Sequence, residues 1–228
     1  MLYSQENVRC GIRNREGKRV FYLADSDTLT PAARDWLQQE KIPVLPVELA
    51  KPDHYLLENG ATFQEKPEQF THLRGNILVP KTHPVISFRG AMDTLQAQLL
   101  LAQQAAREPL RSHLGEILAL ARNILRWDVM QERAAVDKLC GLTLSEQRSR
   151  SHTPQKYYGQ PHFMPEHTDA AILLQVNLCR CTARAAELAA ARAFTDENGN
   201  CSRPDLLQLL NRMSSMLYIL MIQEKATP

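Results

Sequence analysis

Residues 168–194 read TDAAILLQVNLCRCTARAAELAAARAF, and no proline or glycine interrupts them. Proline is expelled from helix interiors by its missing N–H and its ring clash, so this stretch is free to be helical. Asp169 stands at its start, where an acid suits the positive end of a helix dipole. Working outward, apolar residues recur at i, i+3, i+4 and i+7, as in Leu95, Leu99 and Ala102 and in Leu206, Leu209, Leu210, Met213 and Leu217. The spacing predicts helices over about 84–107, 109–135, 168–194 and 203–224, with a short piece near 144–150. The last opens with another acid, Asp205, and is apolar nearly all round, which predicts a central place among its neighbours. The expected fold is mainly α: an antiparallel four- to five-helix bundle with a small N-terminal α+β unit.

The first part of the chain differs. Of 13 prolines, six fall between Pro43 and Pro84. Val8–Ile12 and Arg19–Ala24 are strand-like, joined by the polar turn of residues 13–18. Thr30 before Pro31 reads as an N-cap followed by proline at the first helical position. A helix over Pro31–Lys41 follows, Ile42–Leu49 reads as extended, and residues 51–82 read as irregular. The expected division is a small α+β unit at 1–60 and a helix-bundle domain at 61–228.

Composition excludes several classes. The 228 residues are 44% hydrophobic and 23% charged, a globular balance. Net charge is +2, from 27 Lys and Arg against 25 Asp and Glu, so no strong field marks a nucleic-acid or membrane surface. No apolar run approaches the ~20 residues of a membrane span. The start, MLYSQENVRC, lacks the apolar core of a secretory signal. Five scattered cysteines fit a reducing compartment, and the expected location is cytoplasmic.

One constellation carries chemistry. Arg180, Arg184 and Glu187 fall within about 60° of one another on a helix turning ~100° per residue. Two guanidiniums on one stripe repel unless something negative stands opposite. Glu187 offsets one and leaves the other for a phosphate or another acid. The plain alternative is a solvated charged face with i,i+3 pairs. Asp93 sits near the start of an apolar, Gln-rich helix, where an acid commonly serves the dipole. Asn211, Ser215 and Tyr218 share a face of the last helix, and a buried Asn must find partners. Cys179 and Cys181 point about 200° apart on a helix, which makes them separate thiols rather than a ligand pair. His152, His162 and His167 share a long loop with Tyr157, Tyr158 and Phe163, without a standard metal-ligand spacing.

These pieces resemble the ATP:corrinoid adenosyltransferases. Arg180-x-x-x-Arg184-x-Ala186-Glu187 is similar to their nucleotide-binding helix. Leu210-Asn211-Arg212-Met213-Ser214 resembles the Leu-Asn-Arg-Leu-Ser of their last helix, and Gly90-x-x-Asp93 resembles the opening of their first bundle helix. Thr71-His72-Leu73, Lys81-Thr82-His83-Pro84, Ser151-His152-x-Pro154, His162-x-x-Pro165 and Arg203-Pro204-Asp205 look like the ethanolamine-utilisation branch, as does Leu29-Thr30-Pro31-x-Ala33-Arg34. There are departures. Ser215 stands where the broader family has an acid, and Thr94-Leu95-Gln96 replaces its Glu-Leu-Asn. No glycine-rich threonine loop is evident, which leaves Thr71–Gly75 and Lys81 for the phosphates. Some members carry an amino-terminal His-x11-Cys-Cys-x2-Cys metal site. Here no cysteine lies between Cys10 and Cys140, so that site is expected to be absent.

The resemblance implies transfer of the 5′-deoxyadenosyl group of ATP to cob(I)alamin, with triphosphate leaving. The cobalt is the nucleophile, so the protein supplies alignment and electrostatics. The implied catalytic residues are Arg180, Arg184 and Asp93, with Asp93 pairing Arg180. Lys81, Arg89, Arg180, Arg184, Glu187 and Asn211 are assigned to ATP, whose Mg²⁺ Glu187 would meet. The implied lid is Ser149–Glu166, with Phe163 or Tyr158 as an apolar wall against the corrinoid and His162 beside them. Implied partners are a second copy of the chain and a bacterial microcompartment shell or a cobalamin-dependent lyase, with neither nucleic acid nor membrane. The amino-terminal unit would dock on a shell protein or cap the bundle. The alternative is a non-catalytic corrinoid-binding or scaffold protein of a microcompartment; a third class is a helical adaptor.

Overall fold

The computed structural model describes residues 1–15, 17–47 and 54–226. The chain divides into two compact units, Met1–Lys81 and Thr82–Pro228. Eight helices and eleven short strands occur among the described residues, so the protein is mainly helical.

In the first unit the order is β1 (Leu2–Tyr3), α1 (Gln5–Gly11), β2 (Arg13–Arg15), β3 (Lys18–Leu23), β4 (Thr28–Leu29), α2 (Pro31–Gln39) and β5 (Val44–Pro46). Strand β3 pairs antiparallel with β2 and parallel with β5. Val8, Phe21, Ala33, Leu37 and Ile42 form its core, with Tyr3 edge-on to Phe21 at 5.5 Å. Thr30 caps α2 as expected, its hydroxyl accepting from Ala33 N–H. Two expectations are corrected. Val8–Ile12 is not a strand, because a Ser4–Asn7 capping box starts a helix ahead of it. Gly11 ends that helix where a Cβ would stand 2.7 Å from the Phe21 ring, so only glycine lets the helix approach the sheet this closely. The polar turn shrinks because Arg13–Arg15 joins the ladder. Of the extended segment 42–49, residues 48–49 lie outside the described residues.

Residues 54–80 are not irregular. They form β6 (Tyr55–Leu57), β7 (Thr62–Phe63), β8 (Phe70–Arg74) and β9 (Ile77–Pro80), a four-stranded sheet of order β7-β6-β9-β8. Each strand is too short for its alternation to register in the sequence.

The second unit comprises α3 (Pro84–Ala105), α4 (Leu110–Met130), β10 (Lys138–Leu139), β11 (Leu142–Thr143), α5 (Leu144–His152), α6 (Pro154–Tyr158), α7 (Ala171–Phe194) and α8 (Pro204–Lys225). Helix α3 packs on α4 and α7, while α8 packs on α4, α5, α6 and α7. The interior of α7 is small, with Ala183, Ala186 and Ala190 buried, so its neighbours come close. Leu206, Leu210, Met213, Met216, Leu217 and Leu220 bury most of the circumference of α8, as its composition predicts. No described helix is long and apolar enough to cross a membrane.

Helix ends depart from the periodicity where side chains seize the backbone. Helix α4 stops at Met130 rather than near 135, because Gln131 turns left-handed at φ 55°. Arg203 then donates to the carbonyls of Trp127 and Glu132 at 3.3 and 2.9 Å. Asp169 lies ahead of α7 and does not open it. It accepts from Glu166 N–H and pairs with Lys225, and both hold its carboxyl below the usual range. Arg89 donates to the buried Asp128 at 2.8 Å and ties α3 to α4.

Asp205 is the latch at the start of α8. It accepts from Ala134 N–H at 2.9 Å and from Arg203 at 3.0 and 3.1 Å. Burial raises its pKa, but these donors outweigh burial and leave it below 3.8. A depressed carboxyl contributes stability that is present above its unfolded pKa and lost as pH falls through the folded one. Asp205→Asn is expected to cost about 2 kcal/mol at pH 7. The gap from wild type should close as the pH drops below about 4. Urea melts at pH 7 and in acid check both.

Candidate functional site

Helix α7 places Arg180 and Arg184 on one stripe, as its spacing requires. Opposite them α8 presents Ser214, Ser215 and Tyr218, α5 presents Ser151 and His152, and the following loop brings in His162. Together they enclose an open cleft of about 250 Å³ within the second unit. Among the described residues no carboxylate pairs with either guanidinium. Arg184 is exposed along the cleft. Arg180 does not meet Asp93, which is exposed on α3. Its Nε and Nη2 donate to Asn177 Oδ1 at 3.1 and 3.0 Å, and its guanidinium stands 6.0 Å from the Tyr218 ring centre.

Glu187, the third member of the stripe, is engaged by neither arginine. It accepts from Asn211 Nδ2 at 2.8 Å, and Asn211 Oδ1 in turn accepts from Arg212. Of the polar face read from α8, Asn211 finds its partner on α7. Ser215 turns back on its own helix, donating to Asn211 O at 3.2 Å, so it supplies no charge where the broader family has an acid.

Tyr218 organises the wall, a role the sequence reading did not give it. His162 Nε2 lies 3.1 Å from the His152 carbonyl, which only accepts, so Nε2 carries the proton. In the neutral ring Nδ1 is then the acceptor, and the Tyr218 hydroxyl donates to it at 3.1 Å. The same oxygen accepts from Phe163 N–H at 3.3 Å. The His162 and Phe163 rings lie nearly parallel to Tyr218, at 5.7 and 6.0 Å. The expected lid is partly helical: α5 extends to His152, and α6 ends at Tyr158 and is capped by Gly159, whose φ of 67° favours glycine. Tyr158 is half-buried with an enclosed hydroxyl and does not join the Tyr218 stack.

Two further expected residues have ion-pair partners of their own. Lys81 belongs to the first unit and pairs with Glu68 at 2.6 Å. Arg89 is committed to Asp128. Cys140 and Cys179 are buried, and burial pushes each thiol up to about 12, with Glu116 adding to the shift at Cys140. Neither is a nucleophile or a ready ligand at neutral pH. No described group of three or more His, Cys, Asp or Glu could hold a metal ion.

Among the described residues the cleft is cationic and lies beside an aromatic wall, and its serine hydroxyls bond to backbone carbonyls, an arrangement suited to positioning substrates. Residues 61–224 match the cobalamin adenosyltransferase family, and the chain belongs to it. It is 31% identical to the corrinoid adenosyltransferase EutT of Salmonella typhimurium strain LT2, over 91% of this chain and 86% of that one. It is 30% identical to the EutT enzyme of Escherichia coli K12 over the same shares. Its activity is accordingly adenosyl transfer to a corrinoid.

Tyr218→Phe removes the two hydrogen bonds that Tyr218 makes to the 162–163 segment and leaves the one from His162 to the His152 carbonyl. Each such bond is worth about 1 kcal/mol, so amide exchange at Phe163 should accelerate by roughly tenfold or more while protection in α8 is retained. Unchanged exchange at Phe163 would remove Tyr218 from this role.

Proposed function

We propose that this chain moves the 5′-deoxyadenosyl group of ATP onto cob(I)alamin, forming adenosylcobalamin and releasing triphosphate. The observation that carries this reading is the pair Arg180 and Arg184, which share a cleft and, among the described residues, have no carboxylate partner. Triphosphate gains negative charge as it leaves, and both guanidiniums stand ready for it without first breaking an ion pair. Glu187, reached through Asn211, would take the Mg²⁺ that accompanies ATP. Asn211 would set the nucleotide's orientation through the same bond. Asp93 would receive Arg180 once substrate draws it from Asn177. Lys81 and Arg89 are assigned to ATP by resemblance alone.

The stacked rings of His162, Tyr218 and Phe163 are the proposed wall against the corrinoid, and Tyr158 is assigned to it by resemblance alone. An apolar face beneath the ring disfavours the lower axial ligand and so eases formation of Co(I). On this reading residues 61–228 carry catalysis, in an antiparallel four- to five-helix bundle. Residues 1–60 are a separate unit, although the strands up to Lys81 close a sheet with Tyr55–Leu57. The chain works as a homo-oligomer in ethanolamine utilisation, in the cytoplasm and in association with a bacterial microcompartment. There it meets a shell protein or a cobalamin-dependent lyase. No amino-terminal His/Cys metal centre takes part.

Chemically reduced cobalamin mixed with Mg-ATP and the wild-type chain is expected to show the spectrum of a cobalt–carbon bond. Arg184→Ala should lower kcat by roughly 10²–10³, the range for losing one donor to developing charge. Full activity in that variant would exclude the arginine stripe from the reaction. Elemental analysis of the purified chain should find neither zinc nor iron in stoichiometric amount.

A further inference from the structure

One charged cluster lies outside the cleft just described. Between α5 and α8 is a second cavity of about 550 Å³, lined by Leu144, Ser145 and Arg148 on one side and Leu207, Gln208, Asn211 and Arg212 on the other. Arg212 is only 9% exposed. Its Nη2 donates to Asn211, but its Nη1 is buried without a hydrogen-bond partner. Arg148 is exposed on α5 and lines the same cavity. Among the described residues no acid forms an ion pair with either arginine. Burial, followed by the charge of Arg148, lowers the pKa of Arg212, and Glu187 only partly opposes them.

A buried guanidinium with an unused donor is costly, because a polar group removed from water must regain its hydrogen bonds. A second cation beside it adds repulsion. An anion in the cavity relieves both. The cavity also offers neutral hydrogen-bonding groups, at Ser145, Gln208 and the Asn211 amide, and no carboxylate lines it. That donor set suits the oxygens of a phosphate, which arginine grips through parallel N–H bonds. Helix α8 carries the residues of both hollows, with Asn211 and Arg212 about one turn before Ser214 and Ser215.

We propose that Arg148 and Arg212 form a second anion subsite, which holds a phosphate group of one of the two substrates while Arg180 and Arg184 serve the first cleft. The inference rests on the adenosyl-transfer reading. Two sources share the chemistry: the polyphosphate of ATP and the phosphodiester in the nucleotide loop of cobalamin.

The test uses Arg148→Gln and Arg148→Glu in the full chain, since Arg148 is exposed and its replacement spares the core. Arg122→Gln, on the exposed face of α4, controls for loss of one positive charge. Tripolyphosphate affinity is measured by calorimetry. Transfer rates are measured with cob(I)alamin and with cob(I)inamide, which lacks the nucleotide-loop phosphate. If the phosphate is that of ATP, Arg148→Gln weakens tripolyphosphate binding and raises KM for ATP about tenfold with either corrinoid. If it is that of the corrinoid, KM for cob(I)alamin rises about tenfold, and cob(I)inamide and tripolyphosphate are unaffected. In either case Arg148→Glu goes further and Arg122→Gln stays at the wild-type value. Constants within about twofold of wild type in both Arg148 variants would overturn the subsite. The wild-type rate with cob(I)alamin reads the underlying activity separately from these differences.

Discussion

Helix α8 must be buried on nearly every side, yet it carries Asn211, Arg212, Ser214, Ser215 and Tyr218. Polar groups taken out of water need partners. The serines satisfy themselves on their own helix, with both hydroxyls donating to Asn211 O. The longer side chains reach other elements. Asn211 takes Glu187 on α7, and Tyr218 takes His162 and the Phe163 amide. The alanines along the inner face of α7 make the first bond possible, since bulkier residues would hold the two backbones too far apart for a 2.8 Å contact. Satisfying α8 thus sets the register of α7, and that register puts Arg180 and Arg184 on the cleft.

The same constraint explains why neither arginine has an ion-pair partner among the described residues. Glu187 is the nearest acid on their stripe, and Asn211 has drawn it away. Two guanidiniums one helical turn apart on an open cleft, Arg184 exposed and Arg180 half-buried, repel by less than about 1 kcal/mol at ~6 Å in water. A charge-assisted bond to a phosphate oxygen is worth about 1.5–3 kcal/mol. The repulsion is therefore tolerable in the resting protein, and an arriving polyanion more than reverses it. An enzyme whose nucleophile belongs to its substrate needs this kind of site, with charge placed ahead of the reaction and no side chain that must first be activated.

The parts legible in the sequence are those with long periods. Helices α3, α7 and α8 run for many turns, and their apolar spacing leaves no competing reading. Helix α1 was hidden because Val8–Ile12 looks like a strand if Ser4 and Asn7 are overlooked, and they are the signal that starts a helix there. The sheet over 54–80 was hidden because its strands are two to five residues long. In the site, the stripe on α7 could be read from spacing, but its partners could not. Arg89 finds Asp128 39 residues away, and Tyr218 finds His162 across 56. Pairings of that kind depend on how helices pack, which local pattern does not encode.

Asn177 shows why the partner's chemistry matters as much as its position. It lies three residues before Arg180, within ordinary helical reach, and accepts from two of its nitrogens. A carboxylate there would orient the guanidinium equally well but would cancel its charge. A neutral amide orients it for about 1 kcal/mol, roughly half the worth of a charged acceptor, and leaves the full positive charge directed to the cleft. Tyr218 adds a ring face 6.0 Å from the same guanidinium, another contact that steadies a cation without neutralising it. Arg180 is thus held in place by groups that an incoming phosphate can outcompete.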